Sequence, residues 1–221
     1  MRLSCALAPT MQSPEHIECA ETLGYSHAWL FDTPQQSPDV WTILGLAATR
    51  THSIGLGPGV AVPSLRHPVV TAAATQTLAS LAPGRVAVAF GTGYTSRKAM
   101  GQEGVTWNFL RHYVETFRDL VQGEETEWEG SPVRLLDSPD GFRSAAADVP
   151  IVIAATGPRG GEEAKSMNAD GLMNFGTVSP GMANFDWTVL LVGGRFSIRT
   201  NPSTANAFAP RPAPSGPCNT T

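Results

Sequence analysis

Short apolar runs alternate with longer segments of helical period along most of this chain. The apolar runs carry valine, isoleucine, leucine and alanine at successive positions, which is typical of strands buried on both faces. They predict strands over Arg2–Ala8, His27–Asp32, Ser53–Val62, Arg85–Gly91, Val149–Ala155 and Gly171–Phe175. The segments between them predict helices over 14–23, Asp39–Arg50, Pro68–Leu81, Asn108–Val121 and Pro158–Asn168. A long polar loop is predicted after the fourth strand, and a small hairpin over Trp128–Leu136.

Six strand-then-helix units in series predict an α/β fold in which helices cover a parallel sheet. The periodicity leaves open whether this sheet closes into a barrel or stays open. No GxGxxG motif follows the first strand, which argues against an open dinucleotide-binding sheet.

The pattern stops near Gly193. Residues 195–221 contain no aspartate, glutamate or lysine and hold five of the 18 prolines, so they lack the apolar surface that offsets chain entropy. Two interpretations remain, a natural disordered tail and a shift of reading frame near Gly193–Gly194. We therefore divide the chain into a barrel domain over 1–193 and a disordered or non-native tail over 194–221. An eight-stranded barrel typically needs about 250 residues, so the seventh and eighth strands are expected to be missing.

Composition narrows the class of protein. Hydrophobic residues make up 42% of the chain and charged residues 15%, which excludes a disordered chain. The net charge of −4 gives no electrostatic reason to expect a nucleic acid as partner. There is no run of about 18 apolar residues and no signal-peptide core, so we expect no membrane association and a cytoplasmic protein. The three cysteines form no CxxC pair, and HExxH is absent, so no metal site is predicted.

Candidate functional residues follow the strands, because ligands of parallel α/β folds bind beyond the carboxyl ends of the strands. Asp32 ends the second strand, and it could border a cofactor or act in proton transfer. It could equally be a loop cap that accepts backbone N–H bonds. Gly59 and Val60 end a glycine-rich third strand, where glycine marks a bulge or a close approach. The approaching group could be a flat ring or a helix packed overhead.

Two further strand ends carry glycine-rich turns. Thr92 and Gly93 follow the fourth strand, whereas Gly157, Arg159 and Gly160 lead from the fifth strand into a helix. Free N–H groups and the positive end of the helix dipole favour an anion there, and Arg159 could add a charge-assisted contact.

Arg66 and His67 precede the third predicted helix. The imidazole could bind a ligand or be satisfied by nearby backbone, and Arg66 could anchor an anion or pair with a carboxylate. An aldolase-type barrel would require a lysine or a metal cluster at the strand ends, and Lys98 and Lys165 are poorly placed for this role.

Several stretches together resemble the luciferase-like monooxygenase superfamily, particularly its branch similar to methylenetetrahydromethanopterin reductase. They are AETLGYSHAWLFD (Ala20–Asp32), IGLGPGVAVPSLRHPVVTAAATQTLASLAPGRVAVAFGTG (Ile54–Gly93), VPIVIAATGPRGGEEA (Val149–Ala164) and ADGLMNFG (Ala169–Gly176). The spacing from GPGVAVP to RHP, APGR and GTG is more specific than any single motif.

The resemblance implies a TIM-type (β/α)₈ barrel, incomplete here, that holds FMN or coenzyme F420 at its C-terminal mouth. It implies a non-proline cis peptide behind the cofactor ring at Gly59–Val60, and Asp32 beside the reactive ring. Thr92 and Gly93 would line the ring or the ribityl chain, and Gly157, Arg159 and Gly160 would hold the phosphate. Relatives often carry a histidine after the acid of the second strand, but Thr33 stands here.

These implications lead to two hypotheses. The first is an oxidoreductase that passes a hydride between the reduced cofactor and a small organic substrate, or a monooxygenase of the same class. The resemblance also implies a homodimer as a possible assembly. The second is a catalytically silent barrel fragment or cofactor-binding subunit without a complete active site.

Overall fold

The computed structural model describes residues 2–137, 148–176, 178 and 180–192. Within these ranges the strands are β1 (Ser4–Leu7), β2 (His27–Leu30), β3 (Gly55–Ala61), β4 (Val88–Phe90), β5 (Thr126–Trp128), β6 (Ser131–Val133), β7 (Ile151–Ala154), β8 (Gly171–Phe175) and β9 (Trp187–Leu191). The α-helices are α1 (Ser13–Thr22), α2 (Val40–Ala48), α3 (Pro68–Leu81), α4 (Tyr94–Ala99), α5 (Trp107–Gln122) and α6 (Pro158–Ser166). Short 3₁₀ turns lie at Pro63–Leu65 and Pro180–Asn184.

Seven parallel strands form one sheet in the order β1-β2-β3-β4-β7-β8-β9. The parallel α/β architecture predicted from the sequence is therefore confirmed, and β5 and β6 form the small antiparallel hairpin. The expectation of six strands is wrong, because Trp187–Leu191 pairs with β8 along its whole length. The segment after the fourth strand also differs from the prediction, since it contains α4 rather than only a loop. The tail over 194–221 lies outside the described residues.

The sheet has two apolar faces with different side chains. Val88 and Phe90 of β4 point outward into a core shared with the helices, which includes Phe117 of α5. The alternate residues Ala87 and Ala89 point inward, into a second cluster. Small side chains on the inner face allow the sheet to curve, because the interior of a barrel is a packed space of limited width.

This curvature brings the two ends of the sheet together. The Trp187 ring on β9 lies 5.2 Å from the His27 ring and 5.9 Å from the Trp29 ring, both on β2. The seven strands therefore form a nearly closed barrel. Among the described residues no strand pairs with the free edges of β1 and β9, and a cavity of about 2240 Å³ lies beside these edges, lined in part by Ala6 and Leu191.

Side-chain caps set where the helices on the outer face begin. Asp39 accepts the N–H of Thr42 and begins α2, and Thr106 accepts the N–H of Phe109 and begins α5. His67 Nδ1 accepts the N–H of Val69 at the start of α3, 3.2 Å away. Each cap satisfies a backbone donor that has no partner within the helix. Of the two roles predicted for His67, the structural one, in which nearby backbone satisfies the imidazole, is therefore confirmed.

Glu21 of α1 anchors the loop that enters β3, at the end of the barrel away from the strand C-termini. Its carboxylate accepts the N–H groups of His52, Ser53 and Ile54 and the Ser53 hydroxyl. Burial raises the pKa of this carboxyl, but the hydrogen bonds from Ile54, Ser53 and His52 outweigh burial and lower the pKa to about 2.

We expect Glu21→Gln to lower the free energy of unfolding by about 1 kcal/mol near pH 7, because a charged acceptor becomes a neutral one in a partly solvated site. The lowered pKa means that the carboxylate contributes fully above its ordinary value of 4.5. Its contribution is lost as the pH falls from there towards about 2. Urea denaturation at pH 7 and pH 3 measures both effects. Glu18→Gln, at an exposed ion pair with Arg50, is the control, and equal loss in both variants would contradict the assignment.

Candidate active site

The sequence-predicted site residues lie at the ends of four adjacent strands. β2, β3, β4 and β7 are neighbours in the sheet and run parallel, so their carboxyl ends meet at one edge. Asp32 follows β2, Gly59–Val60 lies in β3, Thr92–Gly93 follows β4, and Gly157 follows β7. The fold therefore gathers these positions at one mouth of the barrel, as the resemblance implied.

The predicted cis peptide is present between Gly59 and Val60. The pairing of β3 with β4 shifts register between Gly59 and Ala61, as at a bulge. A Cβ atom on Gly59 would lie 2.8 Å from Cβ of Trp29, so glycine is required here by the close approach of the neighbouring strand β2. The Val60 side chain remains partly exposed at the mouth.

Glycines of the fourth strand end make room for the end of β3. A Cβ atom on Gly93 would lie 2.3 Å from Val62 Cγ1, and one on Gly91 would lie 3.0 Å from Val60 Cγ2. Gly93 also has a left-handed backbone, with φ of 76°, immediately before α4. The two strand ends consequently pack against each other, and Thr92 stays partly exposed beside them.

Asp32 is a buried carboxylate with several partners. Its side chain is 1% exposed, and its Oδ2 atom accepts a hydrogen bond of 2.6 Å from Arg66 Nη1. The backbone N–H of Val62 also lies close enough to this carboxylate to lower its pKa. Burial raises the pKa of Asp32, whereas the Arg66 guanidinium and the Val62 N–H oppose that shift. The ion pair with Arg66 is therefore the principal contact of this carboxylate, and the interpretation of Asp32 as a loop cap stays a prediction.

Arg66 links the second and third strand ends to two helices. Its Nη2 atom donates to Asp39 Oδ2 at 2.6 Å, so one guanidinium bridges two carboxylates. The hydroxyl of Tyr113 on α5 donates to the Arg66 carbonyl at 2.9 Å and lies 2.6 Å from Thr71 Oγ1. Of the two roles predicted for Arg66, pairing with a carboxylate is confirmed.

Two polar residues at this site were not anticipated. Ser96 of α4 is buried and donates to the Asp32 carbonyl at 2.6 Å, and burial raises the pKa of Tyr113 to about 12. Nothing in the local sequence marks either residue. Ser96 lies in what the sequence predicted as a loop, and Tyr113 is one of several aromatic residues on an amphipathic helix.

The two glycines at the α6 end of the site have different surroundings. Space is open beside Gly157, where an added Cβ atom would meet nothing within 4 Å. Gly160 instead packs tightly, since a Cβ atom there would lie 2.3 Å from Cβ of Ala155, and its N–H donates to the Gly157 carbonyl. The exposed Arg159 side chain lies 3.7 Å from Glu163, one turn further along the helix.

The described residues contain no group of three or more histidine, cysteine, aspartate or glutamate side chains that could hold a metal ion. In the same part of the chain, no helix combines the length and the apolar character needed to cross a membrane. The mouth of the barrel has a glycine-lined backbone, the partly exposed side chains of Val60 and Thr92, and the buried ion pair between Asp32 and Arg66. Such a surface suits a flat organic ligand better than a small charged one.

Similar proteins identify the family of this chain. The chain is 28% identical over 166 residues to 5,10-methylenetetrahydromethanopterin reductase of Archaeoglobus fulgidus, covering 72% of this chain and 48% of that protein. It is 32% identical over 157 residues to the F420-dependent glucose-6-phosphate dehydrogenase of Beutenbergia cavernae, covering 63% of this chain and 45% of that protein.

Among solved structures, monooxygenase RslO1 from Streptomyces bottropensis superposes with a TM-score of 0.65 at 26% identity, covering 81% of this chain and 61% of that one. The chain thus spans about half the length of the curated relatives it matches. The profile of the luciferase-like monooxygenases matches residues 9–183. With most of its length inside that match, and with the strand order and mouth described above, this chain belongs to the luciferase-like monooxygenase family.

Proposed function

We propose that the barrel mouth binds reduced coenzyme F420 or FMN and passes a hydride between it and a small organic substrate. One observation carries the proposal: Val60 and Thr92 are partly exposed on the glycine-rich ends of two neighbouring strands, and the buried Asp32 follows the next strand of the sheet. Family membership supports the same chemistry, and the F420-dependent relative favours the deazaflavin. Either cofactor supplies the hydride chemistry when bound, and FMN would also support oxygen chemistry as in a monooxygenase.

The residues at the mouth fit a flat ring. Gly59 and Val60 would lie behind the ring, because the pairing of β3 shifts register there as at a bulge and Val60 offers a partly exposed apolar surface. Thr92 and Gly93 would line the ring or the chain attached to it. The chain's contribution would be to bind, orient and exclude water, since the cofactor carries the electron chemistry.

The phosphate end is proposed at the start of α6. Gly157 leaves open space beside the backbone, and the helix dipole favours an anion there. Arg159 would have to turn from Glu163 towards the phosphate, which its exposure permits. Gly160 would act through backbone proximity, since its N–H already donates to Gly157.

Asp32 is the proposed catalytic residue. Its position at the end of β2 would place the ionised carboxylate at the edge of the ring, where it could accept a proton. Arg66 and the Val62 N–H would fix the orientation of this carboxylate.

The second candidate is a barrel fragment that turns over no substrate, whether or not it binds the cofactor. The observation that favours it is the pair of free edges on β1 and β9 in the described residues, with a cavity beside them. Part of the wall that encloses a substrate in longer relatives would then have to come from elsewhere.

A titration tests the proposed function. The purified chain is titrated separately with F420 and FMN while ligand fluorescence is followed, and we expect saturable binding with a Kd of about 1–10 μM for one of them, or roughly −7 to −8 kcal/mol. Val60→Asp should weaken that binding at least tenfold, because it places a charge at the ring face. Val70→Asp makes the same change on the exposed face of α3 and should bind as the parent does. No saturable binding by the folded parent would reject the proposal. Binding without hydride transfer to any candidate alcohol or sugar phosphate would favour the silent fragment.

A further inference from the structure

We propose that Arg66 is a positioning residue that bridges the Asp32 and Asp39 carboxylates and thereby holds the ends of β2 and β3 in the geometry that receives the cofactor ring. This inference rests on the proposed function and goes beyond it, because it names a residue that would act on the cofactor through others. Arg66 is 16% exposed, and both of its bridging hydrogen bonds measure 2.6 Å.

Arg66 joins elements that lie far apart in the chain. It lies on the connection between β3 and α3, yet its guanidinium binds Asp32 at the end of β2 and Asp39 at the start of α2. Tyr113 of α5 binds its carbonyl. One residue therefore ties together the loops that border the mouth on the β2–β3 side.

Asp32 lies between Arg66 and the backbone that would face the cofactor. The Val62 N–H, two residues after Val60, lies close enough to the Asp32 carboxylate to lower its pKa. Arg66 is a charged donor that fixes this carboxylate in place. Without Arg66, Asp32 would become a buried carboxyl without its cation, which favours the protonated form. A protonated Asp32 would attract the Val62 N–H more weakly and loosen the end of β3.

The charged and titratable groups that face Asp32 come from three directions. They are Arg66 on the β3–α3 connection, Asp39 at the start of α2, and Tyr113 on α5. Asp39 carries a negative charge that raises the pKa of Asp32. Arg66 is the one cation among these three groups. The ionisation of Asp32 should consequently respond to Arg66 more than to either of the others.

The experiment compares Arg66→Met, Arg66→Lys and Asp39→Asn with the parent protein. Asp39→Asn keeps an oxygen that can cap α2 and removes only the charge that pairs with Arg66. Arg50→Met is the matched control, because Arg50 also bridges two carboxylates, Glu15 and Glu18, but on the exposed surface. The readouts are the Kd of F420 and FMN as a function of pH, and the titration of Asp32 by carboxyl ¹³C NMR, assigned with Asp32→Asn.

We expect Arg66→Met to weaken cofactor binding at least tenfold, to raise the titration midpoint of Asp32, and to make binding fall as the pH falls through that new midpoint. Arg66→Lys should restore most of the binding, Asp39→Asn should give an intermediate loss, and Arg50→Met should change nothing. Parent-like binding and an unchanged Asp32 titration in Arg66→Met would overturn the proposal. If that variant does not fold, parent-like cofactor binding in Asp39→Asn would overturn it.

The Asp32 titration separates this inference from the proposed function. If the parent binds neither cofactor, the proposed function fails, but the NMR midpoint of Asp32 and the amide exchange of Val62 still report whether Arg66 fixes this strand end. A shifted midpoint with faster Val62 exchange in Arg66→Met would support the positioning role alone, and no change in either would overturn it.

Discussion

Gly57→Ala is expected to lower the free energy of unfolding by about 4 kcal/mol or more, which is most of the stability of a domain at the lower end of the usual range of about 5–15 kcal/mol. A Cβ atom on Gly57 would lie 1.8 Å from the carbonyl oxygen of Ala87 and 3.3 Å from the Trp29 ring. A side chain could rotate away from such a contact, but the Ala87 oxygen belongs to the backbone. The added methyl group would therefore force β3 away from the start of β4 and break the ladder between them.

Gly45→Ala is the matched control for this prediction. Gly45 lies inside α2, and a Cβ atom there would meet only Leu81 Cδ1 at 3.9 Å, an ordinary contact. Because alanine favours helices over glycine by about 0.5–1 kcal/mol, this variant should be as stable as the parent or slightly more stable. Far-UV circular dichroism and urea denaturation measure both variants. A Gly57→Ala protein that unfolds within 1 kcal/mol of the parent would contradict the described contact between β3 and β4.

Asp32→Ala is expected to lower the free energy of unfolding by about 3 kcal/mol, the lower end of the range for breaking a buried ion pair. The change leaves the largely buried Arg66 with only Asp39, and it leaves the Val62 N–H without its carboxylate. Cofactor binding should fall as well, since the end of β3 loses its anchor. Chemical denaturation gives the stability, and the fluorescence titration gives the binding.

Two variants separate this effect from the loss of any carboxylate. Glu18→Ala removes an acid from the exposed Arg50 cluster and should change stability by less than about 0.5 kcal/mol. Asp32→Ala combined with Arg66→Met should be less destabilised than the sum of the two single changes, because no uncompensated charge remains. Strict additivity of these two changes would show that the pair does not interact as described.

The parallel sheet was predictable because its strands are apolar at successive positions and are separated by segments of helical period. The sequence analysis does not predict the seventh strand, Trp187–Leu191, although this segment is a short apolar run. The change of composition after Gly193 places the end of the predicted strand pattern before it. The helix α4 was missed for another reason: Tyr94–Ala99 is polar and short, and it is held by contacts of Ser96 with the distant Asp32 carbonyl.

The sequence predicted where the candidate site lies in the fold, but not which side chains contact each other there. Strand ends gather at one edge of any parallel sheet, so Asp32, Gly59 and Gly93 could be placed together without coordinates. The sequence could not show that Arg66 bridges two carboxylates, because Asp32 and Arg66 are 34 residues apart. The sequence also could not show that Gly160 packs against Ala155, where an added Cβ atom would lie 2.3 Å from Cβ of Ala155. The role of Gly160 at the phosphate end stays a prediction.

Hydrogen–deuterium exchange with and without saturating cofactor tests the central claim most directly, because it shows where a flavin or deazaflavin binds on the folded chain. The account predicts slower exchange of backbone amides over 59–62 and 91–96, at the mouth, in the presence of F420 or FMN. It predicts no change over 50–54, at the opposite end of the barrel near Glu21. Unchanged exchange at both mouth segments with either cofactor, or protection confined to 50–54, would contradict the claim that this mouth is the cofactor site.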